Sequence, residues 1–314
     1  MTPRQIGLLA ALAAIWGGSY LLIKYALEGF SAPMIVWGRT ALAAVVLLIA
    51  LRGATRGALA DMRARPGWAL VLGTVSVTAP FLLITFGEHE VPSGLTAVLI
   101  SPAALFVALF APFIDPSERI DRRQAIGLCV GLAGVALVVG LESISTLGQF
   151  LGGMAMVGAA ACYALSSFVV KRRYGHLAAM QTSLVSILVT TVLTLPLALA
   201  TLPSAMPGAR ALLSVLVLGA VGTALAFVIF YKLINEVGAG RASLVSYLAP
   251  GVALFYGALL LDEAITAAAI AGLVLILGGV AIASRKRVSP SGTGAPLAAS
   301  RRRPRRGRPL RRAA

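Results

Sequence analysis

Apolar runs of about twenty residues succeed one another along almost the whole chain, each closed by a short polar connection. They cut approximately at 5–25, 32–51, 67–87, 93–113, 123–141, 149–170, 178–199, 210–231, 239–260 and 265–284. A helical run of this length matches the hydrocarbon thickness of a bilayer, whereas barrel strands alternate over about ten residues. Composition closes off a soluble fold. Of the 314 residues, 59% are hydrophobic and 12% charged, and the mean hydropathy is +0.91. Soluble domains carry about 25% charged residues, and a water-soluble core of this size cannot hide so much apolar surface. In lipid each backbone N–H and C=O needs an internal partner, which a helix supplies locally. The expected fold class is an all-α integral membrane protein with about ten transmembrane helices. The first run follows Arg4, is long, and carries Trp16 and Lys24, so it reads as a retained span rather than a cleaved leader.

Basic residues then set the orientation. Arg4 precedes the first run; Arg52, Arg56, Arg63 and Arg65 follow the second; Arg119, Arg122 and Arg123 follow the fourth. Lys171, Arg172 and Arg173 follow the sixth, and Lys232 and Arg241 the eighth. The alternate connections hold Glu28, Glu88 with Glu90, Glu142, Arg210, and Asp262 with Glu263. Lysine and arginine mark cytoplasmic loops, so both termini are expected in the cytoplasm and the number of spans is even.

The chain also repeats itself. The stretch from Val91 to Gly140 runs through Pro102, an acidic turn at Glu118, and a glycine-spaced helix with Gly127, Gly131 and Gly134. From Val237 the pattern returns with Pro250, Glu263, Gly272 and Gly279, the last three about 145 positions after their counterparts. Trp16 to Lys24 likewise aligns with Tyr163 to Lys171. Two copies of a five-span unit, 5–141 and 149–284, must cross in opposite senses, because five is odd. Inverted repeats of that kind are a signature of secondary transporters.

Net charge of +16 suggests nucleic acid at first sight, but 11 basic residues and no acid lie from Arg285 onward. The segment 285–314 is read as a disordered cytoplasmic tail that lies on anionic inner-leaflet lipid. It lacks interleaved aromatics, so no nucleic acid is expected. Cys129 and Cys162 both fall inside apolar runs and are read as small packing residues. No phosphate-binding loop, nucleophile elbow or histidine-rich cluster occurs, so neither an enzyme nor a cofactor is expected.

Several features together resemble the EamA transporters of the drug/metabolite transporter superfamily. They are a W-G-x-x-[FY]-x-x-x-K pattern at Trp16 to Lys24, Pro33 followed by Arg39, the mid-run Pro102 and Pro250, and the glycine-spaced fifth run of each half. The likeness covers nearly everything from Ile6 to Ser284. It departs in the first acidic turn, where Asp115-Pro116-Ser117-Glu118 stands for the usual Gly-Glu, and at Tyr163, where many relatives carry Trp. The resemblance implies ten helices, a five-plus-five inverted repeat, a central cavity, and export or exchange of small metabolites.

Ionisable residues at membrane depth are the first functional candidates. Arg39 either faces the cavity and holds a substrate carboxylate or phosphate, or snorkels outward, or pairs with Glu28 or Glu88. Its counterpart in the second half is Ser186. Trp16, Tyr20 and Lys24 form one stripe at i, i+4 and i+8, which suits a cavity wall or ordinary packing, though Lys24 lies near the outer end of its run and either joins the stripe or snorkels to the interface. Tyr163 and Tyr247 give the second half polar handles. Glu88 and His89 either couple transport to protons or sit in a solvated loop. Pro102 and Pro250 are expected to kink their helices, and the glycines to let helices approach closely. The expected function is a secondary-active transporter of a small organic, amino acid-like or drug-like metabolite, as monomer or homodimer. The alternative is a non-transporting membrane scaffold recruited through its basic tail.

Overall fold

The computed structural model describes residues 1–51, 55–114, 120–142 and 146–284. The acidic turn at Glu118 and the basic tail from Arg285 lie outside them. All regular structure among the described residues is helical. The first repeat holds α1 (Pro3–Leu27), α2 (Ala32–Ala50), a short α3 (Thr55–Ala64), α4 (Pro66–Gly87), α5 (Ser93–Ile100), α6 (Ala103–Ile114) and α7 (Arg122–Glu142). The second holds α8 (Leu147–Arg173), α9 (Ala179–Ala200), α10 (Ala209–Val237), α11 (Ala239–Ala242), α12 (Val245–Leu260) and α13 (Ala267–Ser284). Eight stretches are long and apolar enough to cross a bilayer, with α5 and α6 counted as one; α12 and α13 are apolar but shorter. Sixteen residues of α12 cover about 24 Å, less than a hydrocarbon core of about 30 Å. The chain is a multi-pass membrane protein.

Local chemistry sets the helix starts. Thr2 accepts from the Gln5 backbone N–H, Gln5 answers on Thr2, and Pro3 opens α1. Ser31 caps α2 through the Met34 N–H, and Asp121 and Gln124 cap α7 reciprocally. Polarity runs inside-out relative to a soluble protein. Phe113, Val192, Leu259 and Val274 face outward, while Thr40, Thr85, Thr190 and Thr194 are buried. Each of these threonines donates its hydroxyl to the carbonyl four residues back, so its polar group is satisfied without water.

Helices pair across the repeats in a reciprocal way. Helix α1 packs on α12, and α8 packs on α5 and α6; α2 packs on α10, and α9 on α4; α7 packs on α13. The α7–α13 seam is built from the glycines expected to pack. A Cβ on Gly279 would lie 2.6 Å from the Gly127 carbonyl oxygen, and one on Gly134 would lie 2.9 Å from that of Gly272. Only glycine permits that approach.

The prolines behave differently from each other. Pro102 sits in a break between α5 and α6, where Ser101 Oγ donates at 2.7 Å to Val98, the carbonyl that Pro102 cannot serve. Pro250 lies inside α12, and the break in its span falls earlier, at Ser243–Leu244. The third span of each half also carries a π-helical segment, Thr74–Thr78 in α4 and Leu218–Leu225 in α10. Thr78 Oγ1 donates to Gly73 and Thr223 Oγ1 to Leu218, each to a carbonyl five residues back. The two π-segments therefore match in place and in side-chain chemistry.

Candidate functional site: a central cavity around Arg39

A cavity of about 720 Å³ opens between the two repeats. Helix α1 contributes Trp16, Ser19, Tyr20 and Ile23, spaced to share one face. The π-segments bring Ser76 from α4 and Thr223 from α10 to the same space, with Phe81 and Phe230 beyond them. Tyr163 of α8 and Tyr247 of α12 close the second-repeat side. Trp16 and Phe230 meet across the wall with ring centroids 5.2 Å apart.

Arg39 is 5% exposed and lines the cavity. Its Nε and one Nη donate to Thr223 Oγ1 at 3.3 and 3.2 Å. Its guanidinium carbon lies 4.2 Å from the centroid of the Phe81 ring. A guanidinium has five N–H donors, and the other three find no acceptor among the described residues. Thr223 and Phe81 thus orient the group and leave one edge for a ligand. Glu28 is not its partner: that carboxylate pairs with Arg210 at 3.1 Å on an exposed surface. The counterpart position behaves as the repeat predicts. A Cβ on Gly219 would meet the Arg39 carbonyl at 3.0 Å, and one on Gly73 would meet the Ser186 carbonyl at 3.4 Å. Where Thr223 receives Arg39, Thr78 pairs with Thr190 at 2.9 Å. The charge breaks an otherwise matched pair of contacts.

The structure divides the stripe on α1. Trp16 and Tyr20 line the cavity, but Lys24 does not. Its ammonium donates to the backbone carbonyl of Glu88, at the C-terminal end of α4, where the helix dipole favours a cation. Glu88 and His89 part as well. Glu88 is fully buried, and neither carboxylate oxygen has a hydrogen-bond partner among the described residues, whereas His89 is exposed. Glu263 holds the start of α5, accepting from Ser93 N–H at 2.7 Å and from Gly94 N–H at 3.0 Å. Sequence reasoning missed Thr223 and Phe81. The spacing of 145 that links Glu118 to Glu263 also links Thr78 to Thr223, and that signal was available.

A second polar cluster lies where α3 meets the segment after α8. Asp61 Oδ1 takes the Arg65 guanidinium and His176 Nε2, the latter at 2.8 Å. Arg65 also donates to the Arg173 carbonyl at 2.9 Å, and its guanidinium faces the Tyr174 ring. Burial pushes the Asp61 carboxyl up, but the hydrogen bonds and charges of Arg65 and His176 outweigh it and hold it below the usual carboxylate range.

Comparison with known proteins agrees with this architecture. The model of the EamA-like transporter family matches twice, over residues 4–140 and 150–285. The uncharacterized transporter YoaV of Bacillus subtilis (strain 168) is 24% identical over 283 residues, covering 89% of this chain and 96% of that protein. A probable amino-acid metabolite efflux pump of Salmonella typhimurium is 27% identical over 297 residues, covering 89% and 94%. A probable terminal-alkyne amino-acid exporter of Streptantibioticus cattleyicolor is 26% identical over 292 residues, covering 90% and 94%. A solved crystal structure superposes with a TM-score of 0.61 at 21% identity, covering 90% of this chain and 98% of the other, and so shares the fold. With its family pattern matched in both halves, the chain is a member of the EamA-like transporter family.

Proposed function

We propose that this protein is a secondary-active exporter of a small organic metabolite, working by alternating access between two inverted five-helix repeats. The observation that carries the reading is the cavity itself: both repeats line it, and it holds one buried, oriented arginine. The reciprocal pairing of α1 with α12 and of α8 with α5–α6 supports a pseudo-two-fold relation, and the alternation of basic loops supports opposite senses of crossing. In this reading α12 and α13 complete ten spans, and both termini are cytoplasmic. The relatives named as an amino-acid metabolite efflux pump and a terminal-alkyne amino-acid exporter favour a substrate of that size.

Arg39 would hold a carboxylate or phosphate of the substrate through its free N–H edge. Trp16, Tyr20, Tyr163 and Tyr247 would enclose the remainder. The π-segments, which bend helices at functional sites, are the places where the two third spans would flex as the repeats rock. Glu88 would carry the coupling proton. A buried carboxylate without a donor is costly as an ion, and its charged neighbours are Lys24, Glu263 and Arg39. His89, being exposed, would at most pass that proton from solvent. The basic tail would hold the protein to anionic inner-leaflet lipid.

Efflux from proteoliposomes tests the proposal. Transport should run on a solute or proton gradient without nucleotide, and Arg39→Ala should abolish it while inserting normally. Strict nucleotide dependence, or wild-type flux in Arg39→Ala, overturns it.

A further inference from the structure

The charge inventory of the cavity narrows the substrate further, resting on the reading that this cavity is the transport site. Arg39 is the one ionised side chain among the described residues that line it; no aspartate or glutamate does. The other polar side chains of the wall are neutral, the Trp16 indole and hydroxyls such as Ser19, Ser76, Ser101 and Thr223, and several of these hydroxyls already donate within the protein. Ser19 donates to the Ile15 carbonyl, Ser101 to Val98 and Thr223 to Leu218. Neither of the two acids near the site lines it. Glu88 stands outside the lining, with Lys24 donating to its backbone carbonyl, and Glu263 is held by Ser93 and Gly94.

A substrate carboxylate brought here finds three free N–H groups on Arg39. A substrate ammonium finds no carboxylate. What the wall offers it instead is neutral: hydroxyl oxygens and the faces of aromatic rings. Arg39 already covers Phe81, and Trp16 packs against Phe230. An ammonium taken out of water without a counter-ion loses more than such neutral partners return.

We infer that the cavity selects organic monoanions with an apolar or aromatic body and no free ammonium. N-acylated or deaminated relatives of amino acids fit this class. Zwitterionic amino acids and cationic drugs do not. The class of reaction that would supply such a substrate is acylation or oxidative removal of an amine, which abolishes the positive charge and leaves the carboxylate.

Three probes with one indole body test the charge rule: indole-3-acetate, tryptophan and tryptamine. Calorimetric binding to the purified full-length protein should rank the anion first, with tryptophan about tenfold weaker or worse and tryptamine undetected. Arg39→Gln should remove anion binding, and Arg39→Lys, which keeps the charge but not the fork, should retain part of it. Thermal unfolding of each variant checks that it is folded. Tryptophan or tryptamine binding as well as the anion, or no anion binding at millimolar concentration, overturns the inference. Flux assays separate it from the transport reading. Anion binding without flux leaves charge selection standing and removes transport, while tryptophan flux without anion binding does the reverse.

Discussion

Two N–H groups of Arg39 converge on the single hydroxyl oxygen of Thr223, which spends its own proton on the Leu218 carbonyl five residues back. The cavity's charge is therefore tied to a π-segment of α10, so ligand contact at Arg39 and the shape of that helix are mechanically linked. Thr223→Val keeps the side-chain volume and removes both bonds. It should weaken substrate binding about 5- to 100-fold, the range expected when a buried charged donor loses its acceptor. Thr78→Val should do less, because Thr190 Oγ1 also reaches the Gly73 carbonyl, at 3.4 Å. Binding isotherms of the two variants, measured side by side, decide whether the matched threonines differ in this way.

Adjacent glycines in α13 separate packing from helix propensity. Gly279 faces the backbone of Gly127 and Gly131, whereas nothing lies within 4 Å of a Cβ on Gly278. Gly279→Ala should destabilise by about 1–3 kcal/mol through overpacking. Gly278→Ala should leave stability unchanged or raise it by up to about 1 kcal/mol. Melting temperatures in detergent should therefore fall for Gly279→Ala and hold or rise for Gly278→Ala.

Glu88→Gln removes the ionisable group while keeping its shape in a fully buried site. If Glu88 carries the coupling proton, the variant should still exchange labelled substrate for unlabelled substrate across the membrane. It should lose accumulation driven by a pH gradient. Wild-type gradient-driven flux in Glu88→Gln would assign coupling elsewhere.

The cluster at Asp61 predicts an acid limit for the docking of α3. The folded carboxyl lies below its unfolded value, so its contribution is complete above the ordinary carboxylate range and is lost as pH falls through the folded value. Hydrogen-exchange protection over Thr55–Ala64, taken relative to the intrinsic rate at each pH, should hold from neutral pH down to about pH 4 and fall below it. Asp61→Asn should give the fast exchange already at pH 7.

Much of this was legible in the chain. The apolar runs led to a membrane helix bundle because helix length and bilayer thickness are both rigid quantities. The spacing of 145 paired Gly127 with Gly272 and Gly134 with Gly279, and Gly127 meets Gly279 because small residues are the means by which helices approach in lipid. Arg39 stood out because a charge among Ile35, Val36 and Ala41 needs a reason. Other features had no local signal. The place of Lys24 near the end of its run allowed it to leave the stripe of Trp16 and Tyr20, but nothing there named the end of α4 as its partner. Glu88 and His89 are neighbours in sequence, yet one is sealed and the other open.

The sequence by itself thus determined the solvent, the helical class, the doubling of the unit and the residues that had to be explained, since periodicity and the cost of charge in lipid act locally. Only the tertiary structure decided the partners. Thr223 and Phe81 meet Arg39 from helices far away along the chain. Which donors stay free for a ligand depends on that packing, because a side chain's hydrogen bonds are set by what surrounds it in space.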